Sequence, residues 1–214
     1  MPFFLALMLL APRASIEGSD WAEAGDGYSI SVHYSDAAME NRAIGDSLEA
    51  YVSKQVPAFR ARFDEYSLDD PFMPQWNLEI TFTDEPSPDG LVCVMAWTWE
   101  YSGGAHGNSW TRAFVYDLEL EDFIGPVELL GGEEEFGAFA DSVMARLNGI
   151  LDDEGWIEEG ASADPDNYHS LLPLPDGEGG TAGYRVIFPP YQVAAYVFGP
   201  IDLYFPPELG PEDI

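Results

Sequence analysis

Positive charge is scarce in this chain. Eight Lys and Arg stand against 39 Asp and Glu among 214 residues, a formal net charge of −31. A surface this negative repels nucleic-acid phosphates and anionic lipid headgroups, which argues against both as partners. It attracts cations and basic proteins. It is also the balance expected of a protein kept soluble in salt, because the acids are spread along the chain and not gathered in one block. Cysteine is nearly absent: Cys93 alone allows no internal disulfide, and its place in an apolar strand pattern reads as a buried, inert thiol. The only histidines are His33, His106 and His169, none at the His-x-x-x-His or His-x-Glu spacing of a zinc site. Neither a Gly-x-Ser-x-Gly elbow nor an Asp-x-Asp-x-Asp-Gly loop occurs, so the common signatures of serine hydrolysis and calcium binding are missing. With 39 acids, some carboxylate pair always looks placed for glycoside cleavage, so such pairs carry no weight. No cofactor is expected.

Long apolar runs are lacking too. The longest, residues 3–11, is too short to cross a bilayer as a helix. Followed by Pro12, Arg13, Ala14 and Ser15, it resembles the core and small-residue end of a secretory signal without the positively charged start. No lipid-attachment cysteine follows it. The expectation is a leader and polar linker over 1–26, removed near Ala14, with a mature chain that has no membrane span and is periplasmic or secreted. The remainder divides into one domain over 27–206, with an N-terminal part (27–84) and a C-terminal part (85–206), and a tail over 207–214. An apolar content of 46% and an aromatic content of 14% support a packed core and not an acidic disordered chain.

Periodicity supplies the elements. Residues 28–34 alternate as a strand, and a helix over about 37–63 places Ile44, Leu48, Tyr51, Val52 and Phe59 on one face. Pro57 is expected to kink or divide it. Residues 76–82 alternate cleanly, and with 91–100 and 110–118 they form a meander of three antiparallel strands. A second helix carries the stripe Phe136, Phe139, Ala140, Val143, Met144, Leu147, Ile150 and Leu151, with Glu133, Glu134 and Glu135 in its first turn, where the helix dipole favours acids. Residues 152–167 read as an acidic loop, and 168–174 with 181–188 as another hairpin. The class is α+β: an antiparallel meander with two main amphipathic helices packed on it, without βαβ alternation.

Two irregular segments stand out. Between the second and third meander strands lies Tyr101-Ser102-Gly103-Gly104-Ala105-His106-Gly107-Asn108, where glycines and an asparagine mark positive φ or close approach. His106 either hydrogen-bonds the loop's own backbone or, with Ser102 or Ser109 beside it, transfers protons. Near the end lies Tyr191-Gln192-Val193-Ala194-Ala195-Tyr196-Val197-Phe198-Gly199-Pro200. Its aromatics either cap the core or form a recognition surface on a rigid sheet. Glycine-bearing stretches so far apart in sequence make most sense as one corner, so the two are expected to touch. Calcium is the best of the ionic options, and Asp164-Pro165-Asp166-Asn167, acidic and turn-like, is suggestive of it.

Together these segments resemble the extracellular domain family of the lysozyme-sensing anti-sigma factor RsiV, a module similar to the accessory region of the peptidoglycan deacetylase PdaC. In that family a Tyr-x-Gly-Gly-Ala-His-Gly-Asn loop precedes a strand, and a terminal Tyr-x-Val-Ala-x-Tyr-x-x-Gly-Pro segment leads into a last short strand. Tyr101 and Gly103 to Asn108 match the first; Tyr191, Val193, Ala194, Tyr196, Gly199 and Pro200 match the second. The strand at 28–34, with Asn41 and Ile44 opening the helix, extends the resemblance over about 27–206. It implies a non-catalytic module for a cell-wall component such as peptidoglycan or for a cationic, lysozyme-like envelope-attacking protein. The binding surface would comprise Tyr101, Gly103, Gly104, His106, Gly107, Asn108, Tyr191, Gln192, Tyr196 and Gly199. Two alternatives stand beside it: an envelope hydrolase using His106 with nearby carboxylates, and a calcium-stabilised structural domain.

Overall fold

The computed structural model describes residues 20–67, 75–151 and 155–206. The leader and tail expected at the two ends fall largely outside these residues. Strands β1 (Trp21–Gly25) and β2 (Tyr28–His33) form a hairpin, so the last residues of the expected polar linker are an edge strand. Helices α1 (Asp36–Glu40) and α2 (Arg42–Ser67) carry the chain across the sheet to β3 (Trp76–Glu85), which pairs parallel with β2. The fold therefore contains one βαβ crossover that strand alternation alone did not reveal. From β3 the chain runs antiparallel through β4 (Leu91–Tyr101), β5 (Asn108–Asp117) and the short β6 (Asp122–Phe123), completing a six-stranded sheet in the order β1-β2-β3-β4-β5-β6.

The break in the first helical region falls at Asn41, not at Pro57. Asn41 is extended, and its Oδ1 accepts from the Ala43 and Ile44 amides at 2.9 and 3.4 Å, capping α2. Pro57 sits on the exposed side of α2, where the carbonyl it deprives of a partner faces water beside exposed Ser53. The opposite side buries Ile44, Leu48, Val52, Val56, Phe59 and Phe63 against Ile30, Val32, Leu78, Ile80, Phe82, Val94 and Ala96. These spacings of three and four residues meet the alternate residues of the strands, which is how a helix and a sheet face share a core.

A second layer follows. Helices α3 (Pro126–Leu130) and α4 (Glu133–Leu151) lead to α5 (Ile157–Ala161) and a 3-10 turn, Pro165–Tyr168. Strands β7 (Leu171–Pro175), β8 (Thr181–Phe188) and β9 (Ile201–Phe205) then make a three-stranded antiparallel sheet. The stretch read as an acidic loop thus holds α5 and the 3-10 turn, and β7 begins at Leu171 because Tyr168 is drawn into the core: its hydroxyl donates to the Ala161 carbonyl at 2.6 Å. Asp164, in the expected calcium turn, caps the 3-10 turn by accepting from the Asp166 amide.

Helix α4 buries Phe136, Ala140, Val143, Leu147 and Leu151 against Leu171, Val186, Phe188 and Leu203. The alternate residues Leu172 and Ile187 face the other way and meet Cys93, Met95 and Val115 of the large sheet. The order of layers is therefore α2, large sheet, small sheet, α4. Cys93 lies in the seam between the sheets, where burial first and Glu85 second push its thiol up to about 12. The Arg185 guanidinium bridges the layers, contacting Glu85 at 3.3 Å and Asp202 at 2.8 Å.

Candidate functional site

The β4–β5 hairpin carries the loop. Glu100 pairs with Asn108 and Thr98 with Trp110, leaving residues 102–107 as the connection. Gly103 has φ +87, the left-handed region a glycine enters without strain. Gly107 is buried for a different reason: a Cβ there would stand 2.6 Å from the Trp99 indole, which lies over it. Gly104 is exposed and unconstrained by neighbours. His106 Nδ1 lies 2.9 Å from the Gly107 carbonyl oxygen. A carbonyl only accepts, so Nδ1 carries the hydrogen and Nε2 of the neutral ring holds the lone pair.

The terminal segment is folded as tightly. Tyr191 has φ +72, a left-handed conformation costly for a tyrosine. It is held by its own amide donating to Ala194 O at 3.1 Å and by its carbonyl accepting from Trp156 Nε1 at 3.0 Å. Gln192 turns inward: its side-chain amide donates to the carbonyls of Gly160 and Asn167 at 2.9 and 2.8 Å. A 3-10 turn over Tyr196–Phe198 ends at Gly199, with φ +67, whose amide donates to Tyr196 O.

The two segments touch. The His106 ring stacks on Tyr196 with centroids 3.7 Å apart and planes 17° from parallel, and Tyr191 lies on the same cluster at 6.4 Å from His106. The Tyr191 hydroxyl is 3.4 Å from His106 Nε2, a long hydrogen bond in which the tyrosine donates. Of the ten residues expected to share a surface, His106, Tyr191 and Tyr196 meet directly. Gly103, Gly107 and Gly199 shape the backbone around them, and Gln192 works from below. Tyr101 stacks on Trp99, whose indole lies over Gly107, on the opposite face of β4 from Glu100, and Asn108 opens toward α2. Beside the cluster stand exposed apolar side chains: Val197 is 86% exposed, Tyr191 48% and Phe198 39%. Trp156, whose indole holds Tyr191, carries no sequence signal for that role; it sits in an acidic stretch without periodicity.

No family model matches this sequence, and no curated protein does. Solved structures do match. A DUF3298 family protein from Pseudomonas aeruginosa PAO1 superposes with a TM-score of 0.55 at 14% identity, over 88% of this chain and 87% of its own. A DUF3298 family member from Bacteroides fragilis NCTC 9343 superposes with a TM-score of 0.51 at 16% identity, over 85% and 82%. The chain has the DUF3298 fold.

On the α2 side of the β4–β5 hairpin stand the alternate pairs Thr98 with Trp110 and Glu100 with Asn108, followed by Ser102 and His106 of the connecting loop, toward the end of the helix. They leave a cavity of about 360 Å³ lined by these residues except Thr98, and by Arg62. Arg62 pairs with Glu100, whose side chain is only 10% exposed. Beneath, Trp110 Nε1 donates to the Tyr51 hydroxyl at 3.1 Å, and that hydroxyl shares a hydrogen with Thr98 Oγ1 at 2.9 Å. The sequence shows Glu100 only as the last residue of an expected strand, with nothing to mark Arg62 as its partner. The other two histidines lie apart: His33 meets Asp20 at 3.1 Å, and His169 meets the Asp166 carbonyl at 2.8 Å. Among the described residues, no group of three or more His, Cys, Asp or Glu could hold a metal. Nor is any helix among them long and apolar enough to cross a membrane.

Proposed function

We propose that this chain is a non-catalytic binding module of the bacterial cell envelope, exported to the periplasm or outside, that recognises peptidoglycan or a basic, lysozyme-like protein. The observation that carries this reading is the composite corner of the His106 loop and the Tyr191–Pro200 segment. Its rings are locked by stacking and its backbone by internal hydrogen bonds, while Val197, Phe198 and Tyr191 remain exposed beside them. Rigid aromatic area presented on loops is what a recognition surface requires, because little conformational entropy is lost on binding. The resemblance of both motifs to the RsiV and PdaC modules supplies the envelope setting, and the net charge of −31 favours basic partners.

The hydrolase reading draws no support from the geometry of His106. A general base needs a nucleophile or water at one nitrogen and, commonly, a carboxylate orienting the other. Here Nδ1 is engaged by the Gly107 carbonyl, Nε2 faces the Tyr191 hydroxyl, and no carboxylate among the described residues hydrogen-bonds the ring. The test is parallel capture on purified peptidoglycan and on a basic lysozyme, with a basic cytochrome as control. Retention by either envelope ligand but not by the cytochrome supports the module; equal retention on both basic proteins, with none on peptidoglycan, defeats it.

A further inference from the structure

The geometry points to a second binding site, the cavity between α2 and the β4–β5 hairpin, as a pocket for a neutral hexopyranose. At about 360 Å³ it falls at the small end of ligand sites, the size of one sugar ring at a chain end. The residues lining it carry polar groups that differ in kind: the Glu100 carboxylate, the Arg62 guanidinium, the Asn108 amide and the Ser102 hydroxyl. A sugar hydroxyl both donates and accepts, so a carboxylate beside an amide or guanidinium satisfies adjacent hydroxyls in a way a purely acidic or basic ligand cannot exploit. Glu100 is nine-tenths buried yet lines the cavity, and a carboxylate offers about four acceptor directions, more than its Arg62 contact uses. Trp110 supplies an apolar wall for the carbon-bound hydrogens of the ring, and its indole N–H is anchored on Tyr51, fixing that wall in place.

Charge selects among ligands. Arg62 and Glu100 neutralise each other, so the pocket has no surplus charge with which to hold an ion. An anion would also meet the field of a chain at −31, and a cation would have to displace Arg62 from a buried carboxylate. A neutral polyol faces neither cost. The proposal rests on the reading of the chain as a binding module but not on the exposed aromatic cluster: Ser102, His106 and Asn108 of the loop line this cavity, whereas Tyr191, Tyr196, Val197 and Phe198 do not.

The test is titration of the full chain with two neutral trisaccharides, a β-1,4-linked glucan and its N-acetylated counterpart, read by tryptophan fluorescence and by NMR shifts. Expected is saturable binding of at least one, with little change between low and high salt. Glu100→Gln and Asn108→Ala should each weaken it ten-fold or more while leaving circular dichroism intact, and Glu100→Gln should also leave capture on envelope ligands intact. If Glu100→Gln fails to fold, Asn108→Ala decides alone. Absence of saturation with both sugars, or equal affinity in the wild type and in the folded variants, overturns the site. A failed titration with retained capture on peptidoglycan or lysozyme removes this pocket and leaves the binding-module reading standing.

Discussion

Mutual support between the His106 loop and the terminal segment can be measured as a coupling energy. His106→Ala removes the hydrogen bond from Nδ1 to the Gly107 carbonyl, about 1 kcal/mol for a typical intramolecular bond. It also removes the stack on Tyr196, about 0.5–1.5 kcal/mol for an aromatic pair, taken at the lower end because His106 is exposed. The single variant should therefore lose about 1.5 kcal/mol, and Tyr196→Ala a similar amount, since it gives up both the stack on His106 and the contact with Tyr191. At roughly 2–4 °C per kcal/mol for a chain of this size, each melting temperature falls by about 3–6 °C. In the double variant the stack is lost once, not twice, so the losses should fall short of their sum by about 0.5–1 kcal/mol. Urea titrations of the four proteins measure this directly. Strict additivity would mean that the two segments are merely adjacent. A single-variant loss above about 4 kcal/mol would put His106 in the core and not at the surface.

Other expectations follow from the packing. A Cβ on Gly160 would overlap the Gln192 carbonyl oxygen, so Gly160→Ala should cost about 1–3 kcal/mol by urea titration and disturb the Tyr191 turn; a neutral result would mean that α5 does not support that turn. Cys93, with its thiol pushed up to about 12 in the fold against an ordinary 9.0, should resist thiol reagents at pH 8 until the protein unfolds; rapid labelling of the native state would contradict its burial. Because the folded value is the higher one, this group's contribution is complete below pH 9 and is lost as pH rises toward about 12. Burial raises the Tyr168 hydroxyl as well, so stability should fall in alkali and not across the neutral range. Mass spectrometry of the native protein should show a start near Ser15, after removal of the leader; an intact Met1 form in the cytoplasm would end the export reading.

Much of the framework was legible because amphipathic periodicity reports a half-buried surface directly. The alternation from Trp76 to Phe82 falls on β3 as expected, and the stripe from Phe136 to Leu151 falls on α4 except that Ile150 is exposed. What escaped depends on partners remote in sequence. β1 buries little and is a strand only because β2 pairs with it, so WAEAG reads as polar linker. The parallel β2–β3 pairing depends on where α2 deposits the chain, which no local pattern encodes. Pro57 misled because its effect depends on which side of the helix it faces, and Asn41 ended α1 by capping the next helix.

The corner was legible to a similar degree. Glycine spacing in the loop and the aromatic content of the terminal segment suggested that the two belong together, and His106 does bond its own loop. Gln192 was expected to offer a polar contact outward, but its amide hydrogens go to the backbone of Gly160 and Asn167. The roles of Trp156 and of the Arg62–Glu100 pair exist only in three dimensions, because each joins segments far apart in sequence whose local patterns carry no mark of the contact.

The central claim is that the exposed corner recognises an envelope ligand and is not merely part of an acidic surface. The most direct measurement is the binding rate of a basic lysozyme to the wild type and to a Val197→Asp, Phe198→Ser variant over a range of salt, with a basic cytochrome alongside. Charge steering should make the association rate of lysozyme fall steeply as salt rises, while the dissociation rate changes little. The variant should dissociate at least ten-fold faster, and the cytochrome should show no such difference between the two proteins. Equal dissociation from wild type and variant, or indistinguishable behaviour of lysozyme and cytochrome, would show that net charge alone is at work and contradict the account for a protein ligand.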